Sequence, residues 1–239
     1  MKIKLVVFDM AGTTVRDDDA VNQCLREALA AGGLTCSRDE INAVMGIPKP
    51  MAIASLWQGQ RGVEALAAEV TRLHADFLRR MLSFYRSDPR VGEMPGATAV
   101  FNELHAAGIA VALDTGFSRD IVEAILTRLG WHQPGLLDAT VASDEVPRGR
   151  PHPDLLFEAM KRVGVQDAGC VAKVGDTPSD LQEGMAAGCG MVIGVTNGTH
   201  TRAQLAAHPH THLIGSLADL PPLVTARLSR EREPVKSVC

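Results

Sequence analysis

The 239-residue chain lacks a long hydrophobic run, an ordered cysteine pattern and any excess of positive charge. No apolar stretch approaches the roughly 20 residues that cross a bilayer, so no membrane partner is expected. Five cysteines, at 24, 36, 170, 189 and 239, are scattered, odd in number and nowhere arranged as CxxC. A disulfide framework or zinc site is therefore not expected, and the cytoplasm is the expected compartment. Cys170 and Cys189 read as small core filler. A net charge of −4 gives no reason to expect nucleic acid or an anionic surface as partner. Internal repeats and low-complexity tracts are absent too. The opening residues, with Lys2 and Lys4, read as a strand rather than a leader, because Asp9 interrupts the apolar run.

What is present is core-forming material: 46% of residues are hydrophobic and 22% charged, enough for a domain with an insertion. Strand-like runs cover Lys4–Phe8, Ile109–Leu113, Ala139–Ala142, Cys170–Val174 and Met191–Val195. Between them, Ala97–Ala107, Ser118–Leu129, Asp154–Val163 and Ser179–Ala187 carry apolar residues at helical spacing. Gly108, Gly130, Gly164 and Gly188 stand where helix C-caps belong. Strand alternating with helix predicts a parallel sheet covered on both faces, with functional residues beyond the carboxyl ends of the strands. Residues 16–89 break the alternation. Val21–Ala31, Ser37–Met45, Pro50–Trp57 and Val63–Phe84 all read as helices, which predicts an all-helical insertion after the first strand. Pro89, Gly92, Pro95 and Gly96 mark the return. The expected division is a core of 1–15 and 90–226, a helical cap of 16–89 and a frayed tail from Arg227 to the end.

The most informative stretch is Asp9-Met10-Ala11-Gly12-Thr13-Thr14-Val15. A carboxylate at the tip of a buried strand is costly unless something uses it. Gly12, Thr13 and Thr14 supply N–H and hydroxyl groups that could hold an anion beside it. Reconciling two negative charges calls for a cation. The local chemistry suggests a nucleophilic Asp9, a phosphoryl group and a divalent metal. Three more polar motifs follow predicted strands or the loops after them: Asp114-Thr115-Gly116, Arg148-Gly149-Arg150-Pro151-His152-Pro153 and Gly175-Asp176-Thr177-Pro178-Ser179-Asp180.

These four motifs, in this order and with a helical insertion after the first, resemble the haloacid dehalogenase (HAD) superfamily over nearly the whole chain. The resemblance implies an α/β, Rossmann-like parallel-sheet core with an inserted all-helical cap. It also implies a Mg²⁺-dependent hydrolase of a small phosphorylated substrate. Asp9 would form an aspartyl-phosphate. Thr115 and the Gly116 N–H would bind phosphoryl oxygens, and Arg150 would take the place of the family's usual Lys with a bidentate grip. Asp176 would hold Mg²⁺ with Asp9 and the carbonyl of Ala11, and Asp180 would orient the metal's waters or Arg150. Asp176 and Asp180 taken alone would read as helix-capping acids. Gly12, Thr13, Met45 and Phe117 join Ala11 and Gly116 as candidates to line the substrate.

One departure narrows the reading. Most phosphatases of the superfamily carry a second Asp two residues after the nucleophile, as general acid and base. Here that residue is Ala11. The phosphonatase subgroup has Ala there, together with a DxAGTTV motif, Arg in the third motif and a Met-Gly-x-x-Lys segment in its cap. Met45-Gly46-Ile47-Pro48-Lys49 matches that segment. The resemblance implies that Lys49 forms a Schiff base with an aldehyde, turning a carbanion leaving group into an enamine. It also implies a cap-paired homodimer. Two residues depart from the subgroup: Ala52 stands where it has His, and Phe117 where it has Tyr. The alternatives left open are hydrolysis of a phosphate ester or acyl phosphate, with Lys49 only binding substrate, and a non-catalytic phosphoryl-ligand binder. Asp19, His152, His200, His208, His210 and His212 read as surface residues in the main, with Asp19 and His152 as secondary candidates for the pocket.

Overall fold

The structure is a computed structural model and describes residues 2–230. Six parallel strands form one sheet in the order β3-β2-β1-β4-β5-β6. They are β1 (Leu5–Asp9), β2 (Ala110–Asp114), β3 (Ala139–Val141), β4 (Val171–Gly175), β5 (Met191–Val195) and β6 (His212–Ile214). Side chains alternate across β1 as a strand requires. Leu5 and Val7 pack with Leu155 and Leu156 of helix α7 (Asp154–Val163) on one face. Val6 and Phe8 join the larger cluster on the other, where Phe8 meets Phe101 of α5 (Ala97–Ala106) edge-on at 5.3 Å. Helices α6 (Arg119–Leu129), α8 (Pro178–Ala187), α9 (Arg202–Ala206) and α10 (Leu220–Arg230) complete the α/β layers. Both faces are covered, which is why the strands read as unbroken apolar runs.

Between β1 and α5 lie four helices: α1 (Ala20–Ala31), α2 (Arg38–Asn42), α3 (Lys49–Arg61) and α4 (Ala67–Ser87). The chain leaves and returns through a short paired stalk. Arg16 N–H donates to Gly92 O at 2.9 Å and Met94 N–H to Thr14 O at 2.8 Å. α4 carries the longest apolar stripe, with Leu73, Phe77, Met81, Phe84 and Tyr85 buried against its neighbours.

The structure differs from the predicted elements in a few places. β1, β2 and β4 run one residue further toward their carboxyl ends, to Asp9, Asp114 and Gly175. The expected helix Ser37–Met45 is only Arg38–Asn42, closed by a Ser37–Glu40 capping box. Met45–Pro48 leave the helix to reach the core, through a positive φ of 82° at Gly46. α3 continues to Arg61 rather than stopping at Trp57. β6 and α9 were not foreseen, being three and five residues long. His200, expected at the surface, is buried. The tail expected from Arg227 falls within α10 as far as Arg230 and otherwise lies outside the described residues.

Candidate active site

Register builds the floor of the site. Asp9 pairs with Asp114 across β1 and β2, and Phe8 with Val174 across β1 and β4. Three adjacent strand tips therefore present Asp9, Asp114 and the Gly175-Asp176 turn side by side. After Asp9 the chain turns sharply. Thr13, Thr14 and Val15 all donate their N–H to Met10 O, and Gly12 takes φ 88°. A side chain at Gly12 would collide with the Asp176 carboxylate. Thr13 Oγ1 donates to Asp176 Oδ1 at 3.0 Å, the Thr199 N–H donates to Asp176 Oδ2 at 2.6 Å, and Thr14 Oγ1 donates to Asp9 O at 2.9 Å. Thr13, a candidate substrate contact, thus orients an acid.

Arg150 is fully buried beneath this turn. Its Nη1 donates to Asp9 Oδ1 at 2.6 Å and lies 2.9 Å from Asp180 Oδ1. Nε donates to Glu183 Oε2 at 2.9 Å, and Nη2 donates to Asp114 O at 3.0 Å and to the Asp114 carboxylate. Lys173 adds a second buried cation, bonded to the Asp114 carboxylate and 3.1 Å from Glu183 Oε2. A buried charge must be paired, and each guanidinium nitrogen here is already taken by protein. Arg150 still borders the pocket, but its first task is to hold Asp9 in place. Asp180 also closes a capping box with Thr177 at the start of α8, accepting from Thr177 Oγ1 at 2.6 Å.

Five carboxylates (Asp9, Asp114, Asp176, Asp180, Glu183) face two cations (Arg150, Lys173), a formal −3. Burial pushes Asp176 up to about 6, with Asp180 adding to the shift. Burial likewise raises Asp9, against the attraction of Arg150. Glu183 is raised by burial and by Asp114. Oxygens of Asp9, Asp176 and Asp180 all lie within 4.8 Å of one another. An all-oxygen, electron-rich set of this kind fits a hard divalent cation.

The roof comes from the helical insertion. Gly46 and Ile47 place their carbonyl oxygens 3.0 and 3.1 Å from where a Cβ on Gly116 would stand, and Gly149 sits directly under the Pro48 ring. A segment that close to the core is admitted only by glycines. It carries Lys49 at the first position of α3, 3% exposed. The amine lies 3.5 Å from Ile47 O and 5.7 Å from the centre of the Phe117 ring. Burial lowers it to about 8, against Asp9 and Asp17, which favour the charged form. Asp9, Ala11, Asp17, Met45, Lys49, Thr115, Gly116, Phe117 and Arg150 are among the lining of one pocket. Thr115 Oγ1 accepts the Phe117 N–H at 3.2 Å.

The candidate residues thus converge, apart from the secondary ones. Asp19 pairs with Arg38 at 2.9 Å, and His152 is exposed. No group of acids, cysteines and histidines spaced to hold a metal includes a His among the described residues. Sequence reasoning missed Asp17, Lys173, Glu183 and Thr199. Lys173 had a signal: it is a charge inside the apolar run Val171–Val174. Glu183 lies three residues after Asp180, on the same helix face. Thr199 acts through its backbone and has none.

A family profile for haloacid dehalogenase-like hydrolases matches residues 3–188. The chain belongs to the haloacid dehalogenase-like hydrolases. Among curated relatives, the phosphonoacetaldehyde hydrolase of Bordetella pertussis is 29% identical, covering 98% of this chain and 96% of its own length. That of Bacteroides fragilis strain ATCC 25285 is 28% identical over 92% of this chain and 87% of its own. A phosphonoacetaldehyde hydrolase-like protein from Oleispira antarctica shares the fold at TM-score 0.82 and 24% identity, covering 98% of this chain and 96% of that one. As a HAD hydrolase, the chain has Asp9 at the end of β1 and its acidic cluster at the carboxyl edge of the sheet. No described helix is long and apolar enough to cross a membrane.

Proposed function

We propose that this HAD hydrolase cleaves the C–P bond of phosphonoacetaldehyde or a closely related small phosphonate aldehyde. The observation that carries the reading is the pairing, in one pocket, of Asp9 with a buried, low-pKa Lys49, while Ala11 occupies the position beside the nucleophile. The names of the curated relatives point the same way.

The chemistry follows from the residues. An ordinary lysine is neutral roughly one time in a thousand near pH 7.5; at about 8, roughly a quarter is neutral. Desolvation and the positive end of α3 both favour that free amine. Lys49 attacks the aldehyde, forming an iminium. Asp9, held by Arg150, attacks phosphorus. The C–P electrons pass into the iminium and give an enamine, so the bond breaks without releasing a carbanion. Water then hydrolyses the aspartyl-phosphate. Thr115 and the Gly116 N–H bind phosphoryl oxygens. Asp9, Asp176 and the Ala11 carbonyl would hold Mg²⁺, with Asp180 behind them. When bound, it offsets the repulsion between carboxylate and phosphoryl group.

Borohydride trapping tests the reading. Phosphonoacetaldehyde plus borohydride should leave a mass adduct on the peptide that holds Lys49. An adduct-free Lys49 in active protein rejects imine chemistry. Phosphate release from an aryl phosphate but not from phosphonoacetaldehyde would then favour P–O hydrolysis.

A further inference from the structure

Four ionisable side chains line the pocket: Asp9, Asp17, Lys49 and Arg150. Asp9 and Arg150 are committed to the floor and to each other. Lys49 and Asp17 come from the helical insertion and its approach, and the steps above leave Asp17 unused. Asp17 follows the stalk directly. Its Oδ1 accepts the Val21 N–H at 2.9 Å, the one side-chain hydrogen bond of this carboxylate among the described residues. No described basic group forms an ion pair with it. It is a partly buried acid, pushed up to about 6 by burial, with the Val21 N–H opposing. Asp17 and Lys49 attract each other across the pocket. The other ionisable groups within its field are Asp18 and Asp19 on its own segment, Cys24 on α1 and Tyr85 on α4.

An amine that must shed a proton, and an oxygen that must later receive one, need an acceptor nearby that can return what it takes. Ala11 cannot serve, and Ala52, one turn along α3 from Lys49, cannot either. We propose that Asp17 is the proton-exchanging carboxyl for the organic half of the substrate, working between Lys49 and the carbonyl oxygen. This deepens the imine reading above and rests on it. The balance is complete. Asp17 takes a proton from the Lys49 ammonium, so an N–H bond breaks and an O–H bond forms. The nitrogen lone pair attacks the carbonyl carbon, and the C=O π electrons move to oxygen. A second proton passes from nitrogen to that oxygen, with Asp17 as relay. Asp17 then gives its own proton to the hydroxyl, the C–O bond breaks, and water leaves as C=N⁺ forms. Asp17 ends as the carboxylate it began as. The enamine left by C–P cleavage takes up a proton from solvent on its carbon to become the product iminium, and hydrolysis of that iminium runs the same steps backwards.

Helix capping is the competing account, because Asp17 accepts the N–H of the second residue of α1. Asn caps as well as Asp but exchanges no proton. The experiment compares wild type, Asp17→Asn and Asp17→Glu, using phosphonoacetaldehyde and borohydride, from pH 5 to pH 9, with melting curves. Asp17→Asn should trap on Lys49 about 100-fold more slowly, melt at the wild-type temperature and lose the inflection near pH 6; Asp17→Glu should regain part of the rate. Trapping at the wild-type rate in Asp17→Asn overturns the proposal alone. So does a loss that tracks a lowered melting temperature and is not relieved by Glu. Absence of any adduct in the wild type overturns the imine reading, and this proposal with it.

Discussion

The floor and the roof of the pocket are built by opposite rules. The floor is densely paired: Arg150 and Lys173 bind acids from β1, β2 and α8, while Asp114 Oδ2 and Glu183 Oε1 accept no hydrogen bond among the described residues. The roof is sparse. Lys49 has one long hydrogen bond to Ile47 O and an aromatic face, and Asp17 has a single N–H. A densely paired network fixes geometry but leaves little to vary, since removing one buried charge strands its partners. A sparse surface keeps its groups reactive and can change without unfolding the protein. On the function proposed above, phosphoryl chemistry belongs to the floor and the choice of organic group to the roof.

The sharpest test of that division is Asp9→Asn. Turnover should fall by on the order of 10⁴ or more, while the melting temperature holds or rises, because one charge leaves an electron-rich cluster. Near-normal phosphate release from Asp9→Asn would break the assignment of the nucleophile. Lys49→Met should come next. Phosphonoacetaldehyde cleavage should drop by roughly 10³, while the folded floor still binds Mg²⁺ by calorimetry. Loss of metal binding in Lys49→Met would mean that roof and floor are not separable.

Arg150→Met probes the floor's stability instead. Stranding buried carboxylates costs about 3–5 kcal/mol, or roughly 10 °C in Tm for a chain of this size. An unchanged Tm would show the network to be dispensable. A subtler measure is the pH dependence of the metal's effect. Asp176 moves from 3.8 to about 6, and Asp9 is raised as well. In that window the native state binds more protons than the unfolded chain, so metal-free stability should fall as pH rises. Lys49 is lowered from 10.5 to about 8, so its contribution changes only above that range. Mg²⁺ competes with those protons and should raise Tm more at pH 8 than at pH 5. Equal shifts at both values would place the cation elsewhere. The smallest effect belongs to Gly149→Ala, which meets the Pro48 ring. It should loosen the roof and raise KM a few-fold with little change in the rate of aspartyl-phosphate hydrolysis, read by single-turnover kinetics.

Much of the fold was legible because the strands that matter are buried on both faces. β1, β2, β4 and β5 are apolar runs that no surface element imitates. β6 was illegible because His212, Leu213 and Ile214 are too few to show a period. The motifs at the strand tips were legible as carboxylates where apolar runs end. Their partners were not. Glu183 reads as an ordinary exposed helix acid until α8 turns it inward, and Lys173 looks like noise in a strand until Asp114 arrives beside it. Asp17 hides in a run of three aspartates, and only the placement of the insertion distinguishes it from Asp18 and Asp19.

The hydrogen-bonded threads at Thr14–Arg16 and Gly92–Met94 have a consequence for engineering. They bring both ends of the intervening helices to one spot, so a foreign module could be spliced in by replacing a single contiguous block, with two junctions to repair. A chimera made there would inherit the phosphoryl machinery intact and acquire a new appetite for organic groups.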